Sequence, residues 1–304
     1  MQYEEFLSCV QEQVTRQTAD LYGEEGACRV LLNHVTKNNG VELDCISIVR
    51  QPNQMVPTIY LNPYYEQFRN GRSMEGIVRE VIQLHCARNG KVCFSTEFFT
   101  DFENVRDRVV YRVIHYQENQ EMLLKMPFKR ILDLAIVFYL LLETGDDCMG
   151  NATVQISKSH LQLWKVDEDT IFEQALCNTP RLLPAQIRPM KEAMGELLNM
   201  GDVAELGTEP EMYILTNAVG MNGACCMLYD SVLMDFAAEQ DSDLLIIPSS
   251  VHEVLLLPYS EEVDIQALNE LVREVNETVV SAEEILADKV YLFRREDAVI
   301  TFCV

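Results

Sequence analysis

The stretch that decides the fold is Asp243-Leu244-Leu245-Ile246-Ile247-Pro248-Ser249-Ser250-Val251-His252-Glu253-Val254-Leu255-Leu256-Leu257-Pro258. Two apolar runs, Leu244–Ile247 and Val254–Leu257, flank a short polar segment. Apolar runs of this length bounded by Pro and Ser are typical of buried strands joined by a turn. The stretch therefore predicts a strand, a turn at Pro248-Ser249-Ser250, and a second strand that begins with His252 and Glu253.

Further hairpins are predicted on both sides of this stretch. Near the start of the chain, two β-prone runs, 28–35 and 41–49, are joined by Lys37-Asn38-Asn39-Gly40. Asn-Gly between such runs is the strongest short hairpin signal. The last hairpin joins 290–293 to 299–302.

Amphipathic helices are interspersed among these hairpins, as in Ile265, Leu268, Val272 and Val275, which recur at helical spacing. Because hairpins outnumber plausible crossovers, the sequence predicts an α+β fold with mixed or mainly antiparallel sheets.

Two apolar segments are less regular. The chain from Met212 to Thr216 predicts a strand, and 223–229, across a turn at 217–222, is predicted to be its hairpin partner. The run from Arg130 to Glu143 is typical of one central strand or two strand segments buried on both faces. Asp133 lies near its start, so its carboxylate is expected to be either satisfied locally or functional.

The length of the chain limits the number of domains it can form. At 304 residues and 48% apolar content, the chain can bury one large core or two modest ones. The sequence favours an N-terminal α+β region over 1–127 and a C-terminal α+β region over 128–304, and the alternative is a single compact unit.

The composition is strongly acidic, with a formal net charge of −24. This charge repels phosphate backbones, so direct binding to nucleic acid is not expected. A basic protein partner is one interpretation, and simple solubility is the other. The acidic residues that would border the opening stretch in the first interpretation are Asp235, Glu239, Asp241, Asp243, Glu261, Glu262 and Asp264.

The expected location is the cytoplasm. The ten cysteines are irregularly spaced and form no Cys-x-x-Cys, which favours free thiols in a reducing compartment. The N-terminus is acidic and shows no signal peptide. The longest apolar run, Leu134–Leu142, is about half of what a membrane-spanning helix requires, so no membrane partner is expected.

The sequence predicts neither a cofactor nor a metal. The turn Gly220-Met221-Asn222-Gly223 lacks the remaining spacing of a dinucleotide loop or P-loop. The loop 144–150 lacks the alternating carboxylates of a calcium loop. A metal site built from His252 and Glu253 with His115 or His160 would lack His-Glu-x-x-His spacing and a cysteine cluster.

The candidate catalytic residues are Ser250, His252 and Glu253. A hydroxyl beside an imidazole and a carboxylate could act as nucleophile, general base and orienting or acid group, as in hydrolases. In an extended strand, however, His252 and Glu253 point to opposite faces, and only Ser250 and His252 share one. The alternative is a structural turn in which the hydroxyls satisfy backbone groups.

Three segments together resemble a known family: Tyr60-Leu61-Asn62-Pro63-Tyr64-Tyr65, Leu215-Thr216-Asn217 with Gly223-Ala224, and Pro248-Ser249-Ser250-Val251-His252-Glu253. The family is one of uncharacterised bacterial proteins, mainly from gut-dwelling anaerobic Firmicutes, that share a domain of unknown function. The resemblance implies a bacterial cytoplasmic protein and carries over no activity, cofactor or catalytic residue. The expected function is interaction or regulation. The alternative is a hydrolase-like enzyme whose site contains Ser250 and His252.

Overall fold

The computed structural model describes residues 1–23, 28–50, 56, 58–88, 96–142, 152–198 and 211–303. These residues group into two compact units. Unit 1 comprises Met1–Val105 and Leu142–Ala152, and unit 2 comprises Arg106–Leu141 and Thr153–Val304. The predicted boundary between 127 and 128 stays a prediction. The loop 144–150, where a calcium site was considered, lies outside the described residues.

Unit 1 packs helices against a three-stranded sheet of order β1-β2-β3. Its helices are α1 (Tyr3–Tyr22), α2 (Asn62–Arg69), α3 (Met74–Arg88) and α4 (Phe102–Val105), and its strands are β1 (Arg29–Thr36), β2 (Glu42–Val49) and β3 (Ile59–Tyr60). The predicted hairpin is confirmed, because β1 and β2 pair antiparallel. Its turn uses Asn39 and Gly40, both with positive φ.

The core of unit 1 lies between α1, α3 and the sheet. The apolar positions of α1 that recur at helical spacing, Phe6, Val10 and Val14, are fully buried. They pack against a cluster that includes Ile46 of β2 and Ile77 of α3. The apolar faces of α1 and α3 are thus covered by the sheet and by each other.

Unit 2 contains two sheets. The helices are α5 (Gln120–Leu123), α6 (Lys158–Trp164), α7 (Glu168–Leu182), α8 (Met190–Leu198), α9 (Val232–Glu239) and α10 (Ile265–Thr278). The strands are β4 (Val109–His115), β5 (Phe128–Ile131), β6 (Leu134–Leu142), β7 (Ala152–Gln155), β8 (Ala185–Pro189), β9 (Tyr213–Asn217), β10 (Leu244–Ser250), β11 (Glu253–Pro258), β12 (Tyr291–Arg294) and β13 (Val299–Phe302).

The smaller sheet has the order β4-β6-β5, with β7 also paired to β6. The two strand segments expected over 130–143 are present as β5 and β6, and every residue of β6 is buried. Asp133 lies in the turn between them, where its Oδ1 accepts a hydrogen bond of 2.8 Å from the Tyr291 hydroxyl. The carboxylate at the entrance to this core strand is therefore satisfied within the fold.

The larger sheet has six strands in the order β13-β12-β10-β11-β9-β8. The described pairings in it are antiparallel, which confirms the predicted α+β class. The two apolar runs of the opening stretch form its central strands, β10 and β11, and α10 packs through Val272 against Leu245 and Leu257. Residue pairing brings the start of β10 next to the end of β11, so their connecting turn projects from the other end of the sheet.

Candidate functional site

The turn of the opening stretch lies directly after the predicted Pro248-Ser249-Ser250. Strand β10 continues through Pro248 to Ser250, and the turn is formed by Val251 and His252. Pro248 is tolerated because β12 pairs only as far as Ile246, so no neighbour requires the missing N–H on that side. The pairing with β11 also shifts between Pro248 and Ser250, which marks a β-bulge.

Ser250 does not contact the imidazole of His252 through a hydrogen bond. Its hydroxyl instead accepts a bond of 3.1 Å from the backbone N–H of His252. This local arrangement tightens the turn, as serine hydroxyls do in turns. Ser250 therefore serves the backbone of the hairpin in this structure.

The Glu253 carboxylate is bound by Ser249 and not by Ser250. Its Oε1 accepts a hydrogen bond of 3.2 Å from the hydroxyl of Ser249. Ser250 and Glu253 are paired across the hairpin, but the carboxylate orients neither the Ser250 hydroxyl nor the imidazole of His252 through a hydrogen bond. The three candidate residues are neighbours that do not form a triad.

His252 has a partner at each ring nitrogen. Nδ1 accepts a hydrogen bond of 3.0 Å from the backbone N–H of Asn222. Nε2 lies 3.4 Å from Oε1 of Glu284. Because Nδ1 acts as acceptor, the neutral ring carries its proton on Nε2, facing the carboxylate. In this geometry the imidazole has no free lone pair with which to take a proton from a substrate.

Backbone contacts fix the His252 turn as well. The His252 carbonyl accepts from the Thr216 hydroxyl at 2.8 Å, and the Val251 N–H donates to the Glu284 carbonyl at 2.8 Å. The Ala224 N–H donates to the Val251 carbonyl at 3.3 Å. The turn is thus held by three separate segments of unit 2.

One of these segments corrects a prediction. Residues Gly223–Leu228 form a 3₁₀ helix and not the predicted strand. The reason is that β9 already pairs with β11 and β8, one on each side, and offers no free edge. Asn222, with φ 55°, turns the chain into this helix.

Gly223 permits the close approach of these segments. A Cβ at this position would lie 2.6 Å from the His252 carbonyl oxygen, 2.7 Å from the Asn217 nitrogen, and closer still to the Thr216 hydroxyl. Only glycine fits this contact without displacing the backbone. The second and third segments of the family resemblance therefore meet at this point.

The first resemblance segment has a structural role in unit 1. Asn62 Oδ1 accepts from the Asp44 N–H at 2.9 Å, and the Tyr64 hydroxyl donates to Glu80 at 3.0 Å. Tyr65 packs its ring against Tyr3 and Phe6. These contacts join α2 to the sheet and to the neighbouring helices.

The histidines considered for metal binding have local hydrogen bonds. Nδ1 of His115 accepts from the Glu118 N–H at 3.2 Å, and Nδ1 of His160 accepts from the Ser157 N–H at 3.0 Å. Within the described ranges, no three His, Cys, Asp or Glu side chains are grouped as potential metal ligands.

An apolar pocket lies elsewhere in unit 2, and Ser250, His252 and Glu253 do not line it. Its lining residues are Ile131, Leu132, Leu134, Met227, Leu228, Tyr291 and Ile300.

The segments that carry the acidic residues singled out in the sequence meet at the end of the six-stranded sheet away from His252. Leu244 pairs with Pro258 and with Phe293, so the segments that precede β10, follow β11 and follow β12 meet there. The N–H of Tyr259 donates to the Asp243 carbonyl at 2.8 Å. We call this surface the acidic end; its carboxylates are Asp235, Glu239, Asp241, Asp243, Glu261, Glu262, Asp264, Glu296 and Asp297.

Sequence reasoning did not identify three of the contacts at the His252 turn. No functional-site pattern in the sequence singles out Glu284, and Asn222 and Thr216 are predicted only as turn and strand residues. The single local signal was Asn222 followed by Gly223, a pair typical of tight turns.

Comparisons with known proteins return one match. A family model with the description "Family of unknown function (DUF5688)" matches residues 3–295. The comparisons with curated proteins and with solved structures returned no match. Among the described helices, none has the length and apolar character needed to cross a membrane.

Proposed function

The chain belongs to the DUF5688 family, whose function is unknown, and we propose that it is an interaction or regulatory protein. Its partner is a basic protein, and the contact surface is the acidic end of the six-stranded sheet. The observation that carries the proposal is that three separate segments rich in acidic residues meet at this end.

Most of these carboxylates are available to a partner. Apart from Asp243, the side chains of the acidic end belong to exposed residues, and that of Asp241 is 92% exposed. Arg295 offsets part of this negative charge, because its Nη1 lies 2.8 Å from the Asp241 carboxylate. Its backbone N–H also donates to Asp243 Oδ1 at 2.9 Å. The remaining excess of negative charge would attract a cationic surface and accelerate its association.

The contacts at the other end of the sheet favour this proposal over the hydrolase-like alternative. A general base needs a nitrogen that can accept a proton, and Nδ1 of His252 already accepts from Asn222. A nucleophilic serine needs its hydroxyl next to that base, and Ser250 instead binds the His252 N–H. We also propose a bacterial cytoplasmic location. The irregular spacing of the ten cysteines favours free thiols in a reducing compartment, and the bacterial origin rests on the family resemblance.

The proposal is tested with two variants of equal net charge. The first reverses three charges at the acidic end, Glu239→Lys, Glu261→Lys and Glu262→Lys. The matched control reverses three charges on α10, Glu270→Lys, Glu274→Lys and Glu277→Lys. Binding of a fluorescent lysine- and arginine-rich peptide is measured by anisotropy at low and moderate salt.

We expect the acidic-end variant to lose about tenfold or more in affinity, because directly contacting charges contribute more than distant ones. The α10 variant should retain most of the wild-type affinity, and wild-type binding should weaken as salt is raised. Equal losses in both variants would show that the peptide senses only net charge. Binding that is insensitive to salt would also contradict the proposal.

A further inference from the structure

Arg112 is a cation in the interior of unit 2. It lies in β4 between Tyr111 and Val113, both essentially unexposed, and pairs across the sheet with Val137 of β6. The residue as a whole is half-buried, and its Nε is buried. Its guanidinium is therefore partly withdrawn from water while one side of the residue stays accessible.

The hydrogen bonding of this guanidinium is incomplete. Nη2 donates to Oε1 of Gln155 at 3.3 Å, whereas the buried Nε has no hydrogen-bond partner. Gln155 is itself held in place, since its Nε2 donates to the Phe138 carbonyl at 2.6 Å. Among the residues that the structure describes, no carboxylate lies within ion-pair distance of Arg112.

An arginine in this state is unusual on physical grounds. Buried charges in proteins are normally paired, because an isolated ion loses its hydration without compensation. The guanidinium has five N–H donors, and a neutral amide satisfies only one. Burial also lowers the pKa of Arg112. The chain has 48 acidic residues, yet none of those that the structure describes forms an ion pair with this cation, and that calls for an explanation.

The surroundings of Arg112 suit an oxyanion. Tyr139, 4% exposed, lies on the same face of the sheet as Arg112, because Arg112 pairs with Val137, two residues before Tyr139 in β6. The Asn222 side chain hydrogen-bonds to the Tyr139 phenol. Hydroxyl and amide groups next to a guanidinium fork are typical of sites for carboxylate or phosphate groups. The net negative charge of the protein opposes anion entry at long range, so such a site relies on short, directed hydrogen bonds.

We propose that Arg112, with Gln155 and Tyr139, forms a binding site for the carboxylate or phosphate group of a small molecule. The accessible side of the guanidinium donates to the anion, and the fixed Gln155 amide orients the guanidinium. This site goes beyond the protein-binding function proposed above and uses none of the carboxylates of the acidic end.

The test is the thermal stability of the full chain in phosphate, in malonate and in chloride at constant ionic strength. An anion that binds only the folded state raises the melting temperature by mass action. We expect phosphate or malonate to raise it by roughly 2–4 °C over chloride at saturation. Which of the two gives the larger rise distinguishes a phosphate ligand from a carboxylate ligand.

Three variants make the test specific. Arg112→Met should lose the anion-dependent rise, and the matched control Arg273→Gln, which removes an exposed arginine of α10, should keep it. Gln155→Glu places a carboxylate next to the guanidinium, so it should raise the melting temperature in chloride and abolish the response to added anions. This variant keeps the test decisive if Arg112→Met does not fold.

Two results would overturn the proposal. One is the absence of any rise in the wild-type protein with either anion. The other is a rise that persists in Gln155→Glu, since the anion would then bind elsewhere.

Discussion

Nδ1 of His252 accepts a hydrogen bond of 3.0 Å from the backbone N–H of Asn222, thirty positions earlier in the chain. This contact joins the β10–β11 turn to the turn that precedes the 3₁₀ helix Gly223–Leu228. Asn222 is 9% exposed, so water cannot readily replace the imidazole as acceptor. The histidine that suggested catalysis therefore acts as a structural acceptor.

Replacing His252 by alanine should destabilise unit 2 by about 1–3 kcal/mol, because the N–H of Asn222 would lose its acceptor. His252→Asn should recover much of this loss, since an amide oxygen can lie near the position of Nδ1. Urea unfolding followed by circular dichroism measures both variants. If His252→Ala unfolds at the wild-type urea concentration, the contact does not stabilise the fold.

Gly223→Ala should lower the stability of unit 2 by more than His252→Ala does. The new methyl would overlap the His252 carbonyl and the backbone of Asn217, so the two turns must separate. We expect a loss of about 3 kcal/mol or more, at or above the upper end of overpacking costs. Thermal unfolding tests this value.

The matched control for that variant is Gly76→Ala in α3. There the added methyl would meet two side-chain atoms, the Ser73 hydroxyl at 3.1 Å and Arg72 Nε at 3.9 Å, and side chains can shift. Alanine also favours the helix, so the stability should change by no more than about 1 kcal/mol. Equal effects of the two alanine variants would contradict the close-approach argument.

The first hairpin of unit 1 was predictable because its signal is local. Asn39 and Gly40 adopt positive φ, which these residue types tolerate, and the β-prone runs beside them pair directly. The class of the fold followed from several such local signals.

The His252 site was not predictable for the opposite reason. The donor to its imidazole is a backbone N–H, which every non-proline residue carries, and Glu284 lies thirty-two positions away. Alternation along a strand places side chains on faces, but it cannot show that Val251 and His252 form the turn. Likewise, the 3₁₀ helix was mistaken for a strand because only the assembled sheet shows that β9 has no free edge.

Protonation of His160 should change the fluorescence of Trp164, the only tryptophan of the chain. Its ring stacks on Trp164 with centroids 5.4 Å apart, and its Nδ1 accepts from the Ser157 N–H. Burial lowers the pKa of His160, so the unfolded chain takes up this proton more readily than the folded one. Its contribution to stability is therefore complete above the ordinary histidine pKa, and it is lost as the pH falls from there through the lower pKa of the folded state.

Trp164 fluorescence titrated from pH 8 to pH 4 should show a transition below the ordinary histidine range. His160→Gln should remove that transition while keeping the helix start, because glutamine at this position still accepts from the Ser157 N–H as in a capping box. A transition of equal size in His160→Gln would assign the signal to another group.

Tyr291 and Asp133 should be energetically coupled. The phenol is fully buried and donates to the Asp133 carboxylate at 2.8 Å, across 158 positions of sequence. Burial, and then the nearby carboxylate, raise the pKa of Tyr291 above its ordinary value, so the donor stays protonated at neutral pH. Because hydrogen bonds to charged groups are the stronger ones, Tyr291→Phe should cost about 1.5–3 kcal/mol.

A double-mutant cycle separates this bond from the other contacts of the two residues. The loss in Tyr291→Phe with Asp133→Asn together should be smaller than the sum of the single losses by about 1 kcal/mol. Tyr259→Phe, which changes an exposed tyrosine, should alter the stability by less than about 0.5 kcal/mol. Additive losses would mean that Asp133 gains nothing from the phenol, and the carboxylate at the entrance to β6 would then need another physical explanation.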